Sequence, residues 1–238
     1  MGRAHEVRAA SMAKTAAMKS KLYAKYSKEI LIAAKAGTPD PNSNLALRRA
    51  IDKAKANQVP GDVIKRAIEK ASSSNAESYI ANVYEGFGPG ASTLVIESLT
   101  DNPNRAIADI RACFNKCHSK MGVSGSVSFN YTHCSVVSVK GVTQDEVEEA
   151  LILNDANFSS VETEEDFVTV YGEISDLYTI KEALDATFGE KISYVICENE
   201  YVANEYVTLN EEDKVVFDRL ITMLEDIDDV ENVYHNVD

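Results

Sequence analysis

Tryptophan does not occur in this chain, and neither does any long apolar run. The stretch from Ile30 to Ala34 is among the longest, whereas a membrane-spanning helix needs about 20 apolar residues. A secretory signal is also missing: the N-terminus is charged and alanine-rich and has no apolar segment. A basic, amphipathic start is the composition of a mitochondrial import sequence, but here it runs without a break into a helical pattern, so no import sequence is expected. Cysteine is scarce. Cys113, Cys117, Cys134 and Cys197 show no disulfide-framework spacing in a chain of 238 residues, which implies a reducing, cytoplasmic setting. No nucleophile elbow, zinc-protease helix or dinucleotide fingerprint is present. Phe87-Gly88-Pro89-Gly90 is glycine-rich, but it lacks the Gly-Lys-Ser/Thr ending of a phosphate loop and a strand follows it, so it reads as a hairpin turn. Acidic pairs such as Glu148-Glu149 have no histidine partner and read as solvated faces. These absences predict a protein that is not an enzyme and needs no cofactor or metal.

What is present is an uneven charge. The net charge is −14, which taken alone argues against nucleic acid. Residues 1–75, however, hold 15 Lys and Arg against 6 Asp and Glu, and residues 76–238 hold 9 against 32. Such a division within one chain points to a polyanion or membrane contact made by the basic part. The acidic remainder repels nucleic acid and suits a basic protein partner.

The sequence also divides by pattern. Residues 1–75 read as a basic helical domain, with helices from Val7 to Ala36, from about Asn42 or Ser43 (as N-cap) to Asn57, and from Pro60 through Ala71. The Ser72–Asn75 run reads as a linker. From Ile80 the period changes. Strands are predicted over 80–85, 93–99 and 126–131, with a helix capped by Asn102 and Pro103 and running to about His118. A βαββαβ unit follows, with strands at 135–140, 158–162, 167–171 and 193–197 and helices at 144–153 and 177–188, the ferredoxin-like order. The last helix (211–226) and strand (230–235) have no sheet of their own. The expected architecture is therefore α+β in three domains: 1–75; 76–132 together with 201–238; and 133–200 inserted between the two halves of the second.

The first helix carries the functional expectation. At 100° per residue, Lys14, Lys21, Lys25, Lys28 and Lys35 share one stripe, with Leu22, Tyr23, Tyr26, Ile30 and Ala33 roughly opposite. Arg48, Arg49 and Lys53 add to the non-packing side of the second helix, and Arg3 and Arg8 lie upstream. A row of ammonium groups suits a row of phosphates, because each contact releases condensed counterions. The apolar side is too poor in Phe and Leu for a membrane-surface helix. Cys113 and Cys117 fall with Ile107, Ile110 and Phe114 on a buried stripe, so they read as core residues and not as metal ligands.

Several strings are similar to the YebC family: KLYAKYSKEILIAAK at Lys21–Lys35, Pro39-Asp40-Pro41, Gln58-Val59-Pro60, YEGFGPG from Tyr84, Asn104-Arg105, Gly125-Ser126-Val127 and VYHNV from Val233. The last of these looks like the shorter, YeeN-like branch. The likeness spans essentially the whole chain. One departure is that Ala4-His5-Glu6-Val7 stands where the family usually has a Lys-Trp pair. The resemblance implies a helical domain and two α+β domains, the third inserted into the second. It also implies a transcriptional regulatory protein that binds DNA. Its alternative is a ribosome-associated translation factor that relieves stalling on proline-rich stretches through ribosomal RNA or tRNA. An acidic module that recruits protein partners is a further reading.

Overall fold

The computed structural model describes residues 16–73, 78–164 and 166–238. Arg3, Arg8, Lys14, the start of the first helix and the end of the linker fall outside them. The N-terminal domain is three helices: α1 (Ala16–Ala36), α2 (Leu45–Ala56) and α3 (Gly61–Ala71). Tyr26, Ile30 and Ala34 meet Leu47, Ile51 and Ala54 of α2 and Ile64 and Ala67 of α3 in a small core. The N-cap of α2 is Asn44, not Asn42 or Ser43. Its Oδ1 accepts from the Leu47 amide at 3.0 Å, while its Nδ2 donates to the carbonyls of Ala33 and Thr38 at 2.8 and 2.9 Å. One side chain thus satisfies orphan groups at the end of α1 and the start of α2.

The second domain is a four-stranded antiparallel sheet in the order β3-β1-β2-β8, formed by β1 (Ile80–Phe87), β2 (Thr93–Thr100), β3 (Lys120–Met121) and β8 (Val230–His235). Helices α4 (Pro103–Lys116) and α7 (Glu211–Glu225) cover one face through Ile110, Phe114, Phe217, Leu220 and Leu224, packed on Leu94 and Ile96. Cys113 and Cys117 belong to that core. Helix α4 starts on the Asn102 cap as predicted and stops at Lys116, two residues short of His118. Arg105 grips the Asp229 carboxylate with Nε and one terminal nitrogen, both at 2.9 Å, and so ties α4 to the turn before β8.

The chain leaves this sheet through β4 (Tyr131–Lys140) and returns through β7 (Ser193–Ala203), with α5 (Gln144–Leu153), β5 (Ser160–Glu164), β6 (Phe167–Gly172) and α6 (Leu177–Phe188) between them. The order β5-β6-β4-β7, antiparallel throughout, is ferredoxin-like. Val137, Val139, Val168 and Val170 face Val147, Leu151, Ile180 and Leu184 in its core. Strands β4 and β7 pair from Tyr131↔Ala203 to Lys140↔Ser193, a ribbon longer than the strands predicted there. The fold class is thus α+β, with a helical N-terminus and two antiparallel sheets.

Of residues 126–131, expected as a strand, only Tyr131 is in one, as the first residue of β4; residues 126–130 form a loop and a 3₁₀ turn at Ser128–Asn130. The cause lies on β1. The buried Glu85 carboxylate accepts the amides of Gly125 at 2.7 Å, Val127 at 2.6 Å and Ser128 at 3.0 Å. The amides that a strand would need for pairing are engaged by this carboxylate, and Gly125 takes a φ of +83° to bring them round it. The strings YEGFGPG and Gly125-Ser126-Val127, far apart in sequence, are the two halves of one lock.

The neighbouring Gly86 leaves room for the Phe114 ring. A Cβ there would sit inside contact distance of Phe114 Cε1 and Cζ, and that ring is fully buried. Gly86→Ala is expected to cost about 1–3 kcal/mol by overpacking. It should lower the denaturant midpoint at an unchanged m-value; an unchanged midpoint would show that the ring has room to shift.

Candidate nucleic-acid interface

The lysine stripe of α1 is a continuous row, but much of it does not face solvent. Lys21 donates to the carbonyls of Glu225 and, at 2.8 Å, Ile227. These carbonyls lie at the C-terminal end of α7, where backbone acceptors lack helical partners and the helix dipole favours a cation. Lys25 donates to Asn232 Oδ1 at 2.8 Å. Lys28 donates to the carbonyls of Asp228 at 2.7 Å and Leu99 at 3.3 Å and pairs with Glu231 at 2.9 Å. Burial lowers the pKa of Lys21, against the opposing pull of Glu231, Glu225 and Asp228. Ile32, the apolar residue inside the stripe, is half-buried, as suits a face that is covered.

The cations of α2 reach the other way, to the inserted domain. Arg49 lies 3.8 Å from the centre of the Tyr178 ring and pairs with Glu182 at 3.2 Å. Lys53 sits between Glu29 at 3.4 Å and Glu198 at 3.6 Å. Burial opposes the Lys53 charge, but the two carboxylates outweigh it and raise its pKa. Lys21, Lys25, Lys28, Arg49 and Lys53 were expected on an open face, and all five instead hold the helical domain to the two acidic domains. Of the other predicted cations, Lys35 is exposed with Nζ 3.4 Å from Ser78 Oγ, and exposed Arg48 donates to the carbonyls of Pro41 and Asn42.

The part of the charge that does face outward was only partly anticipated. Lys19, Lys35, Arg48, Lys55, Lys65, Arg66 and Lys70 are exposed on the helical domain, against the exposed acids Asp40, Asp52, Asp62 and Glu69. The sequence signal for α3 was available, since Lys65, Arg66 and Lys70 lie off the Ile64–Ala67 packing stripe. The outward cations outnumber the outward acids, so this part of the described surface carries a positive excess. Burial pushes the Cys134 and Cys197 thiols up to about 11, far from reactive thiolates. Among the described residues no group of three His, Cys, Asp or Glu is placed to hold a metal ion, and no helix is long and apolar enough to cross a membrane.

A family model described as the TACO1/YebC protein N-terminal domain matches residues 3–74, and one described as the TACO1/YebC second and third domain matches residues 79–237. A probable transcriptional regulatory protein of Chromohalobacter salexigens is 44% identical over 238 residues, covering 100% of this chain and 99% of the relative. One from Acholeplasma laidlawii is 46% identical over 238 residues, covering 100% and 98%. The fold resembles the crystal structure of a conserved hypothetical protein from Aquifex aeolicus, with a TM-score of 0.80 and 30% identity over 95% of this chain and 93% of the other.

Proposed function

This chain belongs to the TACO1/YebC family, and from that premise we propose that it is a transcriptional regulatory protein that binds DNA through the outward cations of its helical domain. It acts by binding and not by catalysis. The observation that carries the reading is the exposed set Lys19, Lys35, Arg48, Lys55, Lys65, Arg66 and Lys70, which remains after the inward cations have docked the domain. The names of the full-length relatives support the regulatory role.

Binding of this kind is dominated by counterion release, so log affinity for duplex DNA should fall with log salt by about 0.9 per phosphate neutralised. Replacing Lys55 and Lys65 together by glutamine should lower that slope by about two. Filter binding across a salt series measures both. A full-length chain that holds no DNA at low salt, or whose affinity ignores salt, overturns the reading.

A second target is ribosomal RNA, because the outward charge suits weakly sequence-specific contact with either polyanion. Five of the seven outward cations are lysines, which contact phosphates as point charges and do not make the forked base contacts of arginine. Co-sedimentation with the large ribosomal subunit at moderate salt, in place of promoter footprints, would assign the protein to translation.

A further inference from the structure

Between α1 and α3 lies a groove of about 320 Å³, open to solvent. Leu31, Val63 and Ala67 give it apolar walls, while Lys28, Arg66 and Lys70 bring three cations to it. Tyr79, just ahead of β1, completes the lining. We infer that this groove holds one unstacked nucleotide of single-stranded nucleic acid. Its base lies along half-buried Val63 and the Tyr79 ring, and the phosphates on either side meet Arg66 and Lys70. The inference rests on the nucleic-acid reading above and adds to it a site for an unpaired, single-stranded segment.

The groove is at the small end of ligand clefts, which run from about 300 to 1,000 Å³. Its open side suits a unit that protrudes from a polymer. An aromatic ring, an apolar floor and flanking cations form the combination by which splayed-out bases are held. In a duplex the bases are stacked inside and do not reach such a site. The α1 and α3 walls are helices whose backbone groups are already bonded, so those walls offer an acidic peptide no main-chain partners.

The charges are arranged to suit. Lys28 is fixed from behind by Glu231 and by the Leu99 and Asp228 carbonyls, with its ammonium 6.0 Å from the centre of the Tyr79 ring. That tether offsets part of its charge and leaves it a positioning residue for the ring. Arg66 is 73% exposed and pairs with Asp62 one helical turn away. Pairs of that kind contribute little, so the guanidinium can turn to a phosphate. Tyr79 follows α3 and precedes β1, so a base against it touches both the helical domain and the approach to the first sheet.

The test is fluorescence anisotropy of the full chain with a short fluorescein-labelled oligouridylate and, separately, with duplex DNA. Tyr79→Ala should weaken oligouridylate binding about tenfold, while Tyr79→Phe retains it. Arg66→Gln with Lys70→Gln, both on the surface, should lower the salt slope by about 1.4. Lys191→Gln, an exposed change in the inserted domain, should leave affinity unchanged. A 4-thiouridine oligonucleotide should crosslink to the peptide that carries Tyr79, a readout that a merely structural role would not produce. Wild-type oligouridylate affinity in both groove variants, or crosslinks that map only elsewhere, would overturn the site while DNA binding still supports the parent reading. Displacement by oligoglutamate as strong as by unlabelled oligouridylate would reassign the groove to acidic peptides. Failure of the full chain to bind any nucleic acid would remove both readings together.

Discussion

Replacing Lys28 by glutamate is expected to detach the helical domain from the second domain without unfolding either. The Lys28 ammonium has three partners, all of them acceptors: the Leu99 and Asp228 carbonyls and the Glu231 carboxylate. Its side chain is 14% exposed and that of Glu231 10%, so water screens the pair poorly. A carboxylate at position 28 would face three acceptors with no donor among them. Breaking a buried pair costs about 3–5 kcal/mol because the remaining charge is stranded. Small-angle scattering should show a larger radius of gyration, with helical content unchanged by circular dichroism. The double change Lys28→Glu with Glu231→Lys should recover part of the compact state. A radius of gyration equal to that of the wild type in the single variant would show that this contact does not hold the domains together. Weaker nucleic-acid binding in such a variant would report domain detachment as much as a lost phosphate contact, so the outward cations are the ones to change when binding itself is in question.

The second large effect is expected at Glu85. Glu85→Gln places an amide where two carboxylate oxygens accept three backbone N–H groups. One of those amides then meets an NH₂ donor, and the other two lose a charged acceptor. Hydrogen bonds to charged groups contribute about 1.5–3 kcal/mol each, so a loss of about 3–5 kcal/mol is expected, seen as a melting temperature lower by about 10 °C. The pH dependence follows from the direction of the shift. Burial opposes the Glu85 charge, but the amides of Val127, Gly125 and Ser128 outweigh it and hold its pKa below the ordinary glutamate value. A depressed folded pKa gives stability that is present above the unfolded value of about 4.3 and is lost as pH falls through the folded one. The gap in melting temperature between wild type and Glu85→Gln should therefore be widest near neutrality and close below about pH 4. A gap that persists unchanged at acid pH would mean that side-chain shape, and not charge, holds the loop.

Much of this fold was legible because its signals are local. Helix 177–188 and strand 230–235 lie where periodicity put them, and Asn102 caps α4 as its type and position suggested. The failures share a cause, namely a partner distant in sequence. Residues 126–131 alternate like a strand, yet a carboxylate some forty positions away takes the amides of Val127 and Ser128. The lysine row of α1 was readable as a row, but most of its acceptors are backbone carbonyls at positions 99, 225, 227 and 228, and carbonyls leave no mark in a sequence. The opposite signs of residues 1–75 and 76–238 were visible from the outset. That the two parts meet each other is visible only in the folded chain, where the cations of the first reach acceptors of the second.

The β4–β7 ribbon has one more consequence. Its first pair is Tyr131 with Ala203, and the Asn204 amide donates to the Asn130 carbonyl at 2.9 Å, so the chain departs and returns at adjoining points. Everything beyond that gate is a cassette plugged into its host through two neighbouring sockets. Excising it would leave ends that a short turn can rejoin at little entropic cost, because closure grows only with the logarithm of loop length. The layout lets the third part be added or removed without re-threading the sheet that carries it.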